Sequence, residues 1–134
     1  MVIMPDADID KAVDSFIGAA YGAASQRCMA ISVAMPVGEK TARVFTEKLK
    51  AKVENLKVGT YDDEHADFGA VISAEAKQSI LQSIDDAVKE GANILVDGRN
   101  PEVENNEGFY LGPTLLDHVT PEMKMYKEEV FGPA

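Results

Sequence analysis

The sequence has a single cysteine, Cys28, and no tryptophan. One cysteine cannot form a disulfide within the chain, and unpaired thiols are typical of proteins from reducing compartments. The segment from Met1 to Asp10 also lacks the basic stretch and the small-residue cleavage site of a secretory or organellar address. We therefore expect Cys28 to be a free thiol in a cytoplasmic protein.

Basic residues and long apolar runs are scarce as well. The 13 Lys and Arg residues are outnumbered by 23 Asp and Glu residues, which gives a formal net charge of −10. Nucleic-acid sites depend on clustered Lys and Arg, so no nucleic-acid partner is expected. The longest apolar stretch, Phe16 to Ala24, is far shorter than the roughly 18 residues that indicate a membrane-spanning helix, so no membrane partner is expected either. His65 and His118 are isolated from each other and from Cys28, and no metal site is expected.

The remaining composition, with 46% hydrophobic and 27% charged residues in a length of 134, is typical of one globular domain that can bury a core. Apolar residues at helical spacing predict three helices, at residues 8–20, residues 38–55 and from Ser73 to Gly91. Extended segments are predicted at residues 29–35, as a buried strand, and at residues 93–96 and 109–116. This alternation predicts an α/β protein with a three-layer α/β/α architecture.

Two polar segments are predicted to be exposed loops. Residues 57–69 include Asp62, Asp63 and Glu64, and the stretch from Glu102 to Glu107 carries further carboxylates. Both segments are too polar and irregular for a buried element.

The two ends of the sequence are abrupt. Val2-Ile3-Met4 has the apolar pattern of an interior strand directly after Met1, and the sequence closes at Phe131-Gly132-Pro133-Ala134 without a terminal helix or a polar tail. We therefore expect it to be a segment of a longer chain.

Cys28 is the strongest candidate for a reactive residue, and two interpretations of it are open. A lone cysteine is most often a small buried hydrophobic residue. However, the residues before it, Gly22 to Arg27, are small or polar, which leaves room for a substrate to approach the sulfur. A thiol reacts as its thiolate, which backbone N–H groups or a nearby cation stabilise. The neighbouring residues therefore favour a nucleophile over a core residue.

Three segments carry a resemblance to a known family. Ser25-Gln26-Arg27-Cys28 resembles the Gly-Gln-x-Cys nucleophile motif of the aldehyde dehydrogenase superfamily, and Glu128 to Pro133 resembles its Glu-Glu-x-Phe-Gly-Pro motif. Between them, Gly108 to Thr114 resembles the Gly-Phe/Tyr-x-x-x-Pro-Thr strand of that family. The resemblance covers essentially all of residues 1–134. It implies a segment of the catalytic (thiol) domain of the aldehyde dehydrogenase fold, with the nucleotide-binding domain outside this sequence.

The resemblance also implies a mechanism and a role for each site residue. The Cys28 thiolate would attack an aldehyde carbonyl to give a thiohemiacetal, hydride would pass to NAD, and the resulting thioester would be released by water or CoA. Glu129 would accept hydrogen bonds from the nicotinamide ribose hydroxyls, and Phe131 would pack near the nicotinamide. Gln26 would support the nucleophile loop.

A narrower resemblance concerns the substrate. Met4 to Asp8, Gln26 to Ala30 and Lys89 to Ala92 are similar to the CoA-acylating methylmalonate-semialdehyde dehydrogenase branch. This implies oxidation of malonate or methylmalonate semialdehyde, a homo-oligomeric full-length protein and, in a eukaryote, a mitochondrial matrix location. The isolated segment would be inactive, because the groups that complete the site lie elsewhere in the chain.

Two positions depart from the family pattern, and one alternative function is open. Ser25 replaces the usual glycine, which would permit a positive φ, and Ala70 follows Gly69 where proline is frequent. The alternative is a stand-alone, non-catalytic α/β module that binds an acyl or nucleotide ligand or a partner protein.

Overall fold

The computed structural model describes residues 1–103 and 107–134. Its elements in chain order are β1 Val2–Ile3, α1 Ile9–Tyr21, a 3₁₀ turn Gly22–Ser25, β2 Met35–Pro36, α2 Glu39–Val53, α3 Ala74–Glu90, β3 Asn93–Val96, β4 Leu115–Asp117 and α4 Lys124–Lys127. The strand β1 pairs with β2 in parallel, and β3 pairs with β4 in antiparallel register with an irregularity between Ile94 and Val96. None of the described helices is long and apolar enough to cross a membrane.

The three predicted helices are confirmed, and their ends follow from local chemistry. The Asp8 side chain accepts a hydrogen bond from the Lys11 backbone N–H at the start of α1. Ser73 likewise accepts from the Ala76 N–H at the start of α3. The helix α3 ends where Gly91 adopts a left-handed φ of 110°, which glycine tolerates without steric cost.

The helices α1 and α2 pack side by side and form much of the core. The rings of Phe16 and Phe45 meet edge to face with centroids 6.0 Å apart. Two lysines on α2 pair with aspartates on α1, Lys48 with Asp10 at 2.5 Å and Lys52 with Asp14. These pairs are exposed and contribute little free energy compared with the buried rings. The main core cluster contains Ile3, Val13, Phe16, Ala20, Tyr21, Ala24, Phe45, Leu49, Val53, Val58, Phe68, Val71, Ile80, Ile84 and Leu111.

The prediction of a buried strand at residues 29–35 is wrong. Met29 lies in a turn, and only Met35–Pro36 forms a strand, which pairs with the two residues of β1. Val33 and Met35 are 48% and 53% exposed. The segment borders an open groove of about 840 Å³, which residues of β4 and α4 also line. In the part of the chain that the structure describes, this side of the segment is therefore open.

Other predictions for loops and extended runs hold in part. In the loop at residues 57–69, Tyr61 to His65 is exposed, but Val58 and Phe68 are buried and form a parallel bridge. In the run at residues 109–116, a strand begins only at Leu115. Residues 104–106 of the predicted acidic loop lie outside the described residues, and Glu102 and Glu107 are exposed as expected.

Candidate active site

The chain reverses direction directly after α1 in a left-handed turn. Ala23, Ala24 and Ser25 have φ values of 54°, 52° and 57°. An L-residue in this region costs roughly 1–2 kcal/mol, because its Cβ crowds the following carbonyl oxygen. The positive φ that a glycine would permit at position 25 is therefore adopted by a serine, and Ser25 is buried as well. We call residues 22–28 the nucleophile turn.

The strain in this turn leads to a prediction about the stability of the protein. Replacing exposed Ala23 by glycine removes the Cβ that disfavours φ 54° and should raise the free energy of unfolding by about 1 kcal/mol. The same replacement at Ala51, which is exposed and lies inside α2, should lower it by about 1 kcal/mol. Urea unfolding of both variants would measure the difference, and equal signs at the two positions would contradict the left-handed geometry.

Cys28 lies at the end of the nucleophile turn and is an exposed free thiol. The interpretation of Cys28 as a buried hydrophobic residue is therefore wrong. The Arg27 backbone carbonyl accepts a hydrogen bond from the Ala30 N–H at 3.0 Å, which closes a tight turn around Cys28. A Cβ placed on Gly22 would lie 3.4 Å from Arg27 Nη1, so the guanidinium folds back over the start of the turn.

Gln26 connects the nucleophile turn to two distant segments. Its side-chain Nε2 donates to the Phe131 backbone carbonyl at 3.1 Å, across 105 positions of sequence. Its Oε1 accepts from the Ile72 backbone N–H at 2.9 Å, just before α3 begins. Both ends of the amide are therefore engaged, so the turn is held against the segment Glu128–Pro133, which we call the cofactor segment.

A cavity of about 150 Å³ lies between the cofactor segment and α3. Glu129 and Phe131 line it together with Gln26, so the structure brings three of the four predicted site residues to one place. Cys28 does not line the cavity. Gln26, two positions before it in the nucleophile turn, does line the cavity and so connects the turn to it. An exposed carboxylate and a partly exposed aromatic ring on one wall suit a ligand with hydroxyl groups and a flat ring.

The opposite wall of the cavity was missed by sequence reasoning. It consists of one face of α3, with Ala76, Ser79, Ile80 and Ser83. Ser83 donates to the Ser79 carbonyl at 3.0 Å. The signal in the sequence is the spacing of the small residues Ala76, Ser79 and Ser83 beside the apolar stripe of α3, three and four positions apart.

Glycine allows the cofactor segment to lie close against this helix. A Cβ on Gly132 would lie 2.2 Å from Ile80 Cδ1, so a larger residue would push the segment away from α3. The neighbouring Pro133 carbonyl accepts a hydrogen bond from the Thr114 N–H at 2.8 Å. The segment is thus fixed from two sides.

Two titratable groups near the site have shifted pKa values. Burial raises the pKa of the Tyr21 phenol, which therefore stays protonated. A hydrogen bond from its own backbone N–H, together with one from Ser73, lowers the pKa of Glu75 at the start of α3. Among residues 1–103 and 107–134, no group of three or more His, Cys, Asp or Glu side chains could hold a metal ion.

Comparison with known proteins places the chain in a family. The model of the aldehyde dehydrogenase family matches residues 1–134. Malonate-semialdehyde dehydrogenase of Pseudomonas aeruginosa is 47% identical over 98% of this chain and 27% of its own length. The acylating mitochondrial methylmalonate-semialdehyde/malonate-semialdehyde dehydrogenase of Rattus norvegicus is 45% identical over 98% of this chain and 24% of its own. The chain thus spans about a quarter of the length of these relatives.

Solved structures show the same fold. Methylmalonate-semialdehyde dehydrogenase from Oceanimonas doudoroffii superposes with a TM-score of 0.94 at 47% identity, covering 98% of this chain and 27% of that one. Betaine aldehyde dehydrogenase from Staphylococcus aureus in complex with NAD⁺ superposes with a TM-score of 0.90 at 32% identity, covering 98% and 26%. The predicted α/β fold class is confirmed, and the chain belongs to the aldehyde dehydrogenase family.

Proposed function

We propose that this chain is the nucleophile-bearing part of the catalytic domain of an NAD-dependent aldehyde dehydrogenase that oxidises malonate or methylmalonate semialdehyde. The observation that carries the proposal is the Gln26 bridge, which joins the turn of exposed Cys28 to the wall that holds Glu129 and Phe131. In such a reaction the substrate is bound covalently to the nucleophile and transfers hydride to a cofactor, so the two must lie close together. A side chain that joins the nucleophile turn to the cofactor wall suits this requirement. The nucleotide-binding domain lies outside these residues in this proposal.

Cys28 acts as the nucleophile in this proposal. Its thiolate Sγ attacks the aldehyde carbon, and the C–O double bond opens to an alkoxide that the Cys28 backbone N–H stabilises. The alkoxide re-forms the carbonyl as hydride leaves, which gives a thioester on Sγ. A bound NAD would supply the acceptor for that hydride. Attack of the CoA thiol or of water on the thioester carbon breaks the C–S bond, restores the Cys28 thiolate and releases the proton of the attacking group to solvent.

Glu129 and Phe131 hold the cofactor in this proposal. The Glu129 carboxylate is an acceptor for two ribose hydroxyls, and the Phe131 ring offers an apolar face to the nicotinamide. The cavity that they line with α3 supports this assignment, because a carboxylate, an aromatic ring and the Gln26 amide converge there. Ser79 and Ser83 add hydroxyl groups to the same wall.

Partners and location complete the proposal. The expected small molecules are a semialdehyde, NAD and CoA as acyl acceptor, the last supported by the acylating rat relative. We place the protein in the cytoplasm, or in the mitochondrial matrix in a eukaryote. The rat relative is a mitochondrial enzyme, which supports the second location. We expect the full-length protein to be a homo-oligomer, and its mass in solution would test this.

The test is an assay of the protein encoded by the complete reading frame. NADH formation is measured with malonate and methylmalonate semialdehyde, with and without CoA, and the acyl product is identified by mass spectrometry. We expect turnover with both aldehydes and an acyl-CoA product. Absence of turnover would contradict the dehydrogenase and favour the non-catalytic module, whereas turnover with free acid as the product at saturating CoA would contradict the acylating branch alone.

Gln26 provides a more specific prediction. Gln26→Glu keeps the shape and the acceptor for the Ile72 N–H, but removes the donor to the Phe131 carbonyl and sets two oxygens against each other. Loss of this exposed hydrogen bond, together with the contact of two oxygens, should cost about 1–2 kcal/mol, so kcat/KM should fall roughly 5- to 30-fold.

The matched control for this change is Gln78→Glu. Gln78 is exposed on α3 and does not line the cavity. Its replacement should leave kcat/KM within about twofold of the unchanged protein. Equal losses at positions 26 and 78 would show that added negative charge, not the lost bridge, causes the effect.

A further inference from the structure

We infer that Tyr21 is a positioning residue, which holds the start of the nucleophile turn against the cofactor segment through Thr114. The inference rests on the proposed function and goes beyond it, because Tyr21 belongs to none of the three family motifs. It assigns a role to a buried phenol that the chemistry of the thiol and the cofactor wall does not use.

The first step is the environment of Tyr21 itself. Tyr21 is the last residue of α1 and only 4% of its surface is exposed. Its hydroxyl donates to the Thr114 backbone carbonyl at 3.0 Å, across 93 positions of sequence. A tyrosine phenol is protonated at neutral pH, and burial raises the pKa of Tyr21 further, so the group is a hydrogen-bond donor there. The start of the turn is therefore tied to one point in the core.

The second step is the connection from Thr114 onward. Thr114 is 2% exposed, and its backbone N–H donates to the Pro133 carbonyl at 2.8 Å. Its side-chain Oγ1 accepts from the Gly98 N–H at 3.1 Å. Thr114 therefore makes three hydrogen bonds: its carbonyl accepts from the Tyr21 hydroxyl, its N–H donates to the Pro133 carbonyl, and its side chain accepts from the Gly98 N–H. Pro133 ends the cofactor segment.

The third step joins this connection to the Gln26 bridge. The nucleophile turn is held at its start by Tyr21 and near its end by Gln26, and both contacts lead to the cofactor segment. Between them lie the residues with positive φ, a conformation that persists only when the surroundings enforce it. Two anchors on one rigid segment define where Cys28 lies relative to Glu129 and Phe131. Loss of either anchor lets the turn shift with respect to the cofactor.

The experiment compares Tyr21→Phe with Tyr110→Phe in the protein from the complete reading frame. Both changes remove one phenol oxygen and keep the ring, and Tyr110 is partly buried against the core but has no described hydrogen bond from its hydroxyl. For Tyr21→Phe we expect kcat to fall about fivefold to tenfold with a smaller change in KM for NAD, because Cys28 shifts while the residues that line the cavity stay in place. We also expect amide exchange at residues 22–28 to be about fivefold faster. Tyr110→Phe should match the unchanged protein in both measurements.

Three results would overturn the inference. One is a kcat that is the same in Tyr21→Phe and Tyr110→Phe. Another is a lower melting temperature with a rise in KM for NAD as large as the fall in kcat, which would show that the whole site is disturbed and that Tyr21 has a structural role alone. The third is amide exchange at residues 22–28 that is no faster in Tyr21→Phe than in the original protein. This measurement also tests the inference if the original protein has no turnover, which is the result that would contradict the proposed function.

Discussion

Replacement of Cys28 by alanine is expected to reduce NADH formation on the order of 10⁴-fold or more in the protein from the complete reading frame. Without the sulfur no thiohemiacetal forms, and removal of a covalent nucleophile is among the most damaging changes that an enzyme can suffer. Because Cys28 is exposed, its truncation leaves no cavity in the core. The free energy of unfolding should therefore change by less than about 0.5 kcal/mol.

Two measurements separate this loss from damage elsewhere in the site. Binding of NAD, followed by fluorescence or calorimetry, should be retained in Cys28→Ala, since Cys28 does not line the cavity with Glu129 and Phe131. Mass spectrometry of the unchanged protein quenched during turnover should show the acyl group on Cys28. Turnover that persists above about one hundredth of the original rate would refute the assignment of the nucleophile.

Gly98→Ala is expected to have the largest effect on stability. A Cβ on Gly98 would lie 2.2 Å from both the carbonyl carbon and the oxygen of Gly112, and 2.6 Å from the Pro113 carbonyl oxygen. These neighbours are backbone atoms of a buried segment, so they cannot rotate away as a side-chain end could. Gly98 also donates to Thr114 Oγ1, and a shift would break that hydrogen bond. We expect a loss of about 3 kcal/mol or more in the free energy of unfolding.

The control for Gly98 is the same substitution at Gly18. Gly18 lies inside α1, and a Cβ there would meet nothing within 4 Å. Gly18→Ala should raise the free energy of unfolding by about 0.5–1 kcal/mol, because alanine loses less backbone entropy in a helix. Urea unfolding of both variants tests the pair. A Gly98→Ala variant as stable as the unchanged protein would contradict the close approach to Gly112.

The ends of the helices could be predicted from the sequence because their causes are local. Asp8 and Ser73 each accept a backbone N–H three positions later, and Gly91 adopts the left-handed conformation that ends α3. Each of these arrangements involves residues within one helical turn. A short stretch of sequence therefore contains all the groups that take part.

The extended segment at residues 29–35 shows where local reasoning fails. Its apolar side chains have the composition of a buried strand, but burial depends on what covers the second face. In the described residues that face borders an open groove, and the pairing strand β1 has two residues. The apolar pattern of these residues is the same whether or not another part of the protein covers the segment. Composition alone could not distinguish the two cases.

The sequence by itself determined the helices and the family resemblance, and it predicted the candidate site residues Gln26, Cys28, Glu129 and Phe131. Only the tertiary structure decided how they are arranged, since Gln26 reaches Phe131 across 105 positions and Tyr21 reaches Thr114 across 93. It also supplied the α3 wall of the cavity. The physical reason is the separation along the sequence of the groups that interact. Caps and turns are fixed by groups a few residues apart, whereas these long-range contacts form only after several helices and strands have packed together.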